Sequence, residues 1–241
     1  MALTPDQTAF ARSLVIEEDD ALIAFNKPSG LPVQGGSGVS VSLEHLLAAF
    51  AKSNGKVPRL VHRLDRETSG VIVAARTKPA AAFLSAAFAG RDVNKTYLAI
   101  VCGGAPSPPE GAVSLALRKA SRRGLDIMEA HADGQAALTR YRTLSASPEA
   151  ALLDLAPETG RMHQLRAHMA AIGRPIAGDG KYGGLYRLGG VEISRLMLHA
   201  AALELPHPNG GRRRFSALLP PAFLEAARSL GLETPEVEDI C

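Results

Sequence analysis

The sequence predicts a mixed α/β (α+β) domain with a largely antiparallel central sheet and flanking helices and loops. Three observations lead there. Apolar runs of strand length recur along the chain, with only a few segments of helical periodicity between them. Polar or Gly/Pro-rich turns separate most of the runs. No fixed-period repeat or low-complexity tract interrupts the series.

Taken in order, Leu14–Ile16 and Ala21–Phe25 flank the acidic turn Glu17-Glu18-Asp19-Asp20 and read as a hairpin. A helix is expected over Leu43–Lys52, a buried strand over Val71–Ala75 and a second helix over Pro79–Ala89. Thr96–Val101 reads as another buried strand, and Val113–Arg118 alternates as a one-sided strand should. Thr139–Leu144, Ala151–Leu155 and Leu196–Leu205 continue the strands. A helix over about Met162–Ile172 is closed by Gly173 and then Pro175, and a last one follows Pro220-Pro221 and ends at Gly231. The Gly/Pro-rich segment from Gly103 to Gly111 is the expected internal boundary. The expected organisation is a leader over 1–13, a catalytic domain over 14–220, and a C-terminal helix with an acidic tail over 221–241.

A chain of 241 residues suits one elongated domain or two intimate subdomains. No stretch reaches the ~18 apolar residues that a membrane span needs, and Met1–Asp6 lacks the basic-then-apolar pattern of a secretory signal. Two cysteines, Cys102 and Cys241, do not make a disulfide framework. The expected compartment is the cytoplasm. Net charge is only +3, yet the sequence pI is about 9.0 and the charges are clustered. Acids gather at Glu17–Asp20 and from Glu233 to Asp239, bases at Arg118-Lys119-Ala120-Ser121-Arg122-Arg123 and Arg212-Arg213-Arg214. Such clusters permit a polyanionic partner and are equally compatible with a solvated surface. No His/Cys cluster has zinc spacing, and Gly35-Gly36-Ser37-Gly38 lacks the Lys-Ser/Thr ending of a phosphate-cradling loop.

The segment His62-Arg63-Leu64-Asp65-Arg66-Glu67-Thr68-Ser69-Gly70 sets one carboxylate between two arginines, in a polar turn entering a buried strand. Neighbouring guanidinium favours the ionised carboxylate. Asp65 is then either a salt-bridged structural residue or a nucleophile. A second constellation runs from Thr159 to His168. On a helix, Met162, Leu165, Met169 and Ile172 form the apolar stripe, with Arg166 at its margin. A desolvated guanidinium there needs an acidic partner, which the residues alone do not identify. Tyr97 opens an apolar strand, where a tyrosine serves as a core residue with a tethered hydroxyl or as a functional one.

These segments resemble the RluA family of pseudouridine synthases. The likeness rests on Asn26-Lys27-Pro28-Ser29-Gly30, on His62 to Gly70, on Lys95-Thr96-Tyr97, and on Thr159 to His168 followed by Gly173 to Ile176 and Gly178 to Gly183. Leu196-Met197-Leu198-His199-Ala200 completes it, so the similarity runs from about Leu14 to Pro220. The resemblance implies a pseudouridine synthase-like fold and makes Asp65 the nucleophile. It implies that Arg166 bridges to Asp65 and that Tyr97 stacks on the target base, with its hydroxyl placed for proton transfer at carbon 5. Leu198 would pack in the base pocket, while Arg63, Arg161 and His163 would contact the substrate. The expected partner is RNA, ribosomal (large-subunit) or transfer, acted on by a monomer with no obligate protein partner, no membrane, no cofactor and no metal. The alternatives are an RNA-binding or ribosome-assembly protein without catalysis, and a nucleoside glycosidase. Many relatives carry an extra RNA-binding domain ahead of the catalytic one, and a short leader here implies that the catalytic domain binds RNA itself, through Arg118 to Arg123 and Arg212 to Arg214.

Overall fold

The protein is described by a computed structural model covering residues 3–36, 40–122 and 124–236. The backbone divides into two compact units, Met1–Asn94 with Ala200–Leu218, and Lys95–His199 with Leu219–Cys241. Two of its crossings fall inside strands and the third in the loop at Leu218–Leu219, none at the Gly/Pro-rich segment 103–111, which lies wholly in the second unit.

The first unit begins with helix α1 (Pro5–Ser13), where the sequence analysis expected only a leader. Thr4 and Gln7 close a capping box around its first turn, and Pro5 presets the first helical φ. Strands β1 (Val15–Glu18) and β2 (Leu22–Lys27) form the expected hairpin. Asp19 closes it by accepting from the amides of Ala21 and Leu22. Helix α2 (Leu43–Leu46) passes into a 3₁₀ turn over Leu47–Phe50, so the expected helix is shorter and tightens at its end. Strands β3 (Arg59–Leu60) and β4 (Ser69–Ala75) follow, then helix α3 (Lys78–Ala89), capped by the Thr77 hydroxyl. All seven residues of β4 are buried, which explains why it reads as a continuous apolar run rather than an alternating one. Leu84 of α3 joins Leu22, Val71, Val73, Leu203 and Phe215 in this unit's core.

In the second unit β5 (Asn94–Cys102), β6 (Glu110–Ser114), β9 (Leu138–Ala146) and β10 (Ala150–Pro157) pair antiparallel in the order β5-β10-β9-β6. Strands β7 (Leu117–Arg122) and β8 (Leu125–Ala130) form a separate two-stranded ribbon. The single strand expected over Val113–Arg118 is therefore two. It breaks because the carbonyls of Leu115 and Ala116 turn to His168 and to the His131 amide, at 3.1 and 2.9 Å. Helix α4 (Gln164–Ala171) packs on β8, β9 and β10, and β11 (Arg187–Leu188) pairs with β12 (Val191–Glu192). Strand β13 (Leu198–Pro206) crosses the division at Ala200 and in the first unit pairs with β14 (Arg212–Ser216), giving that unit the order β1-β2-β4-β13-β14 with β3 beside β4. Helix α5 (Pro221–Ser229) closes the described chain. No described helix is long and apolar enough to cross a membrane. Residues 237–239 of the acidic tail, and Cys241, lie outside the described residues, as do Ser37, Gly38 and Arg123.

Candidate active site

The β2–β4 register sets Lys27 opposite Gly70, which brings the Asn26–Gly30 segment against the turn that carries Asp65. Lys27 is fully buried. Its ammonium donates to the carbonyls of Pro28, Leu31 and Arg66 at 2.9, 2.9 and 3.0 Å. A buried charge is tolerated only when such acceptors replace water. The same two segments exchange further bonds. The Gly30 amide donates to the Arg66 carbonyl at 2.9 Å, Arg66 Nε to the Gly30 carbonyl at 3.0 Å, and the Ser29 hydroxyl to the Glu67 carbonyl at 2.7 Å. Downstream, Gly70 has φ +113°, and a Cβ there would lie 2.1 Å from the Ala200 carbonyl oxygen. Only glycine fits. Upstream, His62 Nε2 accepts the Val73 amide at 3.0 Å, which assigns the ring proton to Nδ1, and the ring stacks on Phe88 with centroids 4.3 Å apart. The half-buried Asp65 thus sits in a turn anchored on both sides, closed by the Thr68 amide on its own carbonyl at 3.1 Å. Leu64 is buried beneath it, while Arg63, Arg66 and Glu67 are exposed.

In the second unit the Thr159–His168 segment is built on a buried polar chain. Thr159 donates to Gln164 Oε1 at 2.6 Å, and Gln164 Nε2 donates to Thr139 Oγ1 at 3.0 Å. Thr139 Oγ1 lies 2.9 Å from His168 Nδ1, and His168 Nε2 lies 3.1 Å from the Leu115 carbonyl. A carbonyl can only accept, so the proton of neutral His168 is on Nε2, and the Thr139 hydroxyl donates to Nδ1. Burial holds His168 below the ordinary histidine value of 6.5, against the raising effect of the Leu115 carbonyl. The unfolded chain therefore takes up a proton near pH 6.5 that the native state refuses. Stability contributed by this residue is complete above that pH and is lost as pH falls below it. Urea titrations between pH 7.5 and 5.5 should show a declining midpoint, with a shallower decline in His168→Asn; a flat wild-type profile would contradict this.

Helix α4 starts at Gln164, two residues later than expected, because His163 adopts a left-handed conformation with φ 50°. Met162 is consequently outside the helix and exposed, not part of the apolar stripe. His163 Nδ1 lies 3.0 Å from the Tyr182 hydroxyl, which also accepts the Met128 amide at 2.7 Å. Arg166 is 6% exposed, far more buried than a helix-margin arginine. Its Nε and Nη2 donate to Oδ2 and Oδ1 of Asp179, both at 2.7 Å, with its guanidinium 5.1 Å from the centroid of the Tyr182 ring. Two nitrogens of the guanidinium are thus engaged by Asp179, a carboxylate of the same unit and the same motif that the sequence reading did not name as a partner. A rigid planar donor needs a facing carboxylate, and Asp179 has a fully buried side chain.

Among the other expected residues, Tyr97 is half-buried on β5 opposite Leu155. Arg161 is half-buried, its amide donating to Gln164 Oε1 at 3.1 Å and its Nε to the Ala136 carbonyl at 3.3 Å. Leu198 is buried, and its carbonyl accepts from Arg195 Nη2 at 3.1 Å. Sequence reasoning passed over Lys27, Asp179, Tyr182 and Arg195 as individual residues. The signal for Asp179 was present, since Arg166 demanded an acid and the motif carries one 13 residues on. Of the basic clusters, Arg118 and Lys119 lie on the β7–β8 ribbon, paired with Glu129 at 2.8 Å and Asp126 at 2.7 Å. Arg212 is held by Glu204 and Asp92, both at 2.8 Å, and Arg213 by Glu17. Arg212 and Arg213 are thus exposed members of surface ion pairs, and Arg214 is exposed beside them.

The model of the family described as RNA pseudouridylate synthase matches residues 21–171. Ribosomal large subunit pseudouridine synthase C of Yersinia pestis is 37% identical over 211 residues, covering 86% of this chain and 65% of that protein. The chain thus spans just under two thirds of that relative's length. The mitochondrial pseudouridylate synthase RPUSD4 of Xenopus tropicalis is 34% identical over 272 residues, covering 95% of this chain and 84% of that protein. The solved structure of human RNA Pseudouridylate Synthase Domain Containing 4 superposes with a TM-score of 0.82 at 30% identity, covering 96% of this chain and 99% of that one.

Proposed function

We propose that this chain, which belongs to the RNA pseudouridylate synthase family, isomerises uridine to pseudouridine in ribosomal RNA of the large subunit, with Asp65 as the nucleophile. The reaction breaks the bond from ribose C1′ to N1 of uracil and forms one from C1′ to carbon 5. A proton leaves carbon 5 and N1 ends protonated, so the product is an isomer of the substrate. A carboxylate suits such chemistry because it stabilises or traps an electron-poor sugar carbon. Tyr97 stacks on the base and its hydroxyl serves proton transfer at carbon 5. Arg63, Arg161 and His163 contact the RNA, and the target uridine leaves its stack to reach the carboxylate.

The observation that carries this reading is the anchoring of the Asp65 turn. The residues on both sides of one carboxylate are fixed by Lys27, Ser29, Gly30 and His62, leaving that carboxylate half-buried between two arginines of the sequence. Fixed placement of a reacting group is what catalysis needs, because misplacement by an ångström is costly in rate. The large-subunit assignment draws on the names of the bacterial relatives. Incubation with ribosomal RNA carrying tritium at carbon 5 of uridine tests the proposal. Tritium release with retention of chain length supports it, and free uracil would mark a glycosidase instead. Binding without either product would leave the non-catalytic alternative.

A further inference from the structure

A hollow of about 440 Å³ opens in the second unit between the β7–β8 ribbon, the turn at residues 133–135 and the loop at residues 160–162. Its size falls within the roughly 300–1,000 Å³ of sites that enclose small molecules. We infer that it is a second nucleotide subsite, which takes one unstacked nucleotide of the RNA other than the uridine being isomerised. The inference rests on the function proposed above and adds a contact that selects the substrate.

The chemistry of the walls divides as a nucleotide does. Met128 and the exposed Met162 supply an apolar floor for the face of a base. Thioether side chains suit this role because they are polarizable and adapt to a flat ring. Gln135 brings an amide, with donor and acceptor together, to the wall where a base edge would lie. The rim sets three cations, Arg118, Lys119 and Arg161, against the one carboxylate of Asp133. Lys119 is 62% exposed in a surface ion pair with Asp126, a pairing worth little in water and readily exchanged for phosphate. Arg161 is tethered only through Nε and its own amide, so its terminal nitrogens make no other hydrogen bond among the described residues. Gly160 has no side chain to fill the space, and Lys95 Nζ lies 3.9 Å from where its Cβ would be.

The walls are also held in place. A Cβ on Gly134 would lie 2.6–2.8 Å from the Leu117 backbone, so the 131–134 turn is pressed directly against the start of β7. Leu117 and Gln135 exchange both backbone hydrogen bonds at 2.9 and 2.8 Å. The Met128 amide is fixed by the Tyr182 hydroxyl, and the Arg161 amide by Gln164. A hollow whose walls are fixed through the backbones of Leu117, Met128, Gln135 and Arg161 is pre-organised, which lowers the ordering cost of binding.

The experiment measures affinity by fluorescence anisotropy for ribosomal RNA fragments that carry single abasic sites, using wild type, Met162→Ala and Gly160→Val. Wild type should show one abasic position, other than the target uridine, that weakens binding about tenfold, the scale of one lost stacking contact. Each variant should weaken binding of the intact fragment several-fold while keeping the wild-type melting temperature, and the abasic penalty at that position should vanish in both. Such non-additivity marks a direct contact. Multiplicative losses, or an absence of any sensitive position outside the target, would overturn the subsite. If the pattern holds without tritium release, the subsite stands and the isomerase assignment fails. Tritium release from RNA with no such position would remove the subsite alone.

Discussion

Asp65→Asn is expected to cut carbon-5 tritium release by about 10⁴-fold or more, the scale seen when a reacting group is removed from an otherwise intact site. RNA affinity and urea midpoint should stay near wild type. The substitution is nearly isosteric, and the hydrogen bonds described above that anchor the turn run through its backbone carbonyls. Arg66 and Glu67 are tied through their carbonyls to Lys27, Gly30 and Ser29, and the Asp65 carbonyl still receives the Thr68 amide. What changes is that an amide neither attacks nor neutralises an electron-poor carbon. If the Asp65→Asn variant retains a substantial part of the wild-type turnover, Asp65 is removed from the chemistry. A large fall in stability would show that the carboxylate is chiefly a structural partner.

Asp179→Ala should have the largest effect on stability, a loss of about 3–5 kcal/mol, because it removes the carboxylate that takes two hydrogen bonds from the buried Arg166 guanidinium. The Lys181 amide, which donates to Asp179 Oδ1 at 3.1 Å, loses its acceptor as well. Arg166→Lys keeps the charge but cannot form the two parallel bonds, so a smaller loss is expected. Arg166→Met combined with Asp179→Leu should recover much of the single-variant loss, since both members of this buried pair are then removed together. Urea unfolding at constant pH reads all three. If Asp179→Ala costs less than about 1 kcal/mol, the scale of an exposed pair, the two residues are not a structural brace.

These two aspartates show which parts of the site could be read in the chain. Asp65 was legible because its neighbours are local, with two arginines and a glycine within five positions and a buried strand directly after. The strand run, the hairpin at the front and the helix over Pro79–Ala89 were legible for the same reason, since periodicity and caps are short-range signals. The partner of Arg166 was not, because a helix-margin arginine can face any carboxylate that the tertiary fold supplies. The division of the backbone was missed at two of its crossings because these lie within β5 and β13, where the residues must continue a strand and no Gly or Pro can mark the crossing. The break at Leu115-Ala116 was hidden because it is made by acceptors turning to groups elsewhere, His168 and His131, in a sequence that alternates without fault. The acids that face the arginines at 212 and 213 were hidden for the same reason, since Glu204, Asp92 and Glu17 are brought there by the fold.

The buried ammonium of Lys27 bears on how this site could be moved or redesigned. The carbonyls it gathers come from two segments 39 positions apart, and neither segment keeps its shape without the other. Grafting the nine residues from His62 to Gly70 onto a foreign scaffold would transplant the nucleophile without its frame. The frame of the nucleophile alone is the pair of strands β2 and β4 with the loops at their adjoining ends. A designer would have to carry both, in register, to move the chemistry at all.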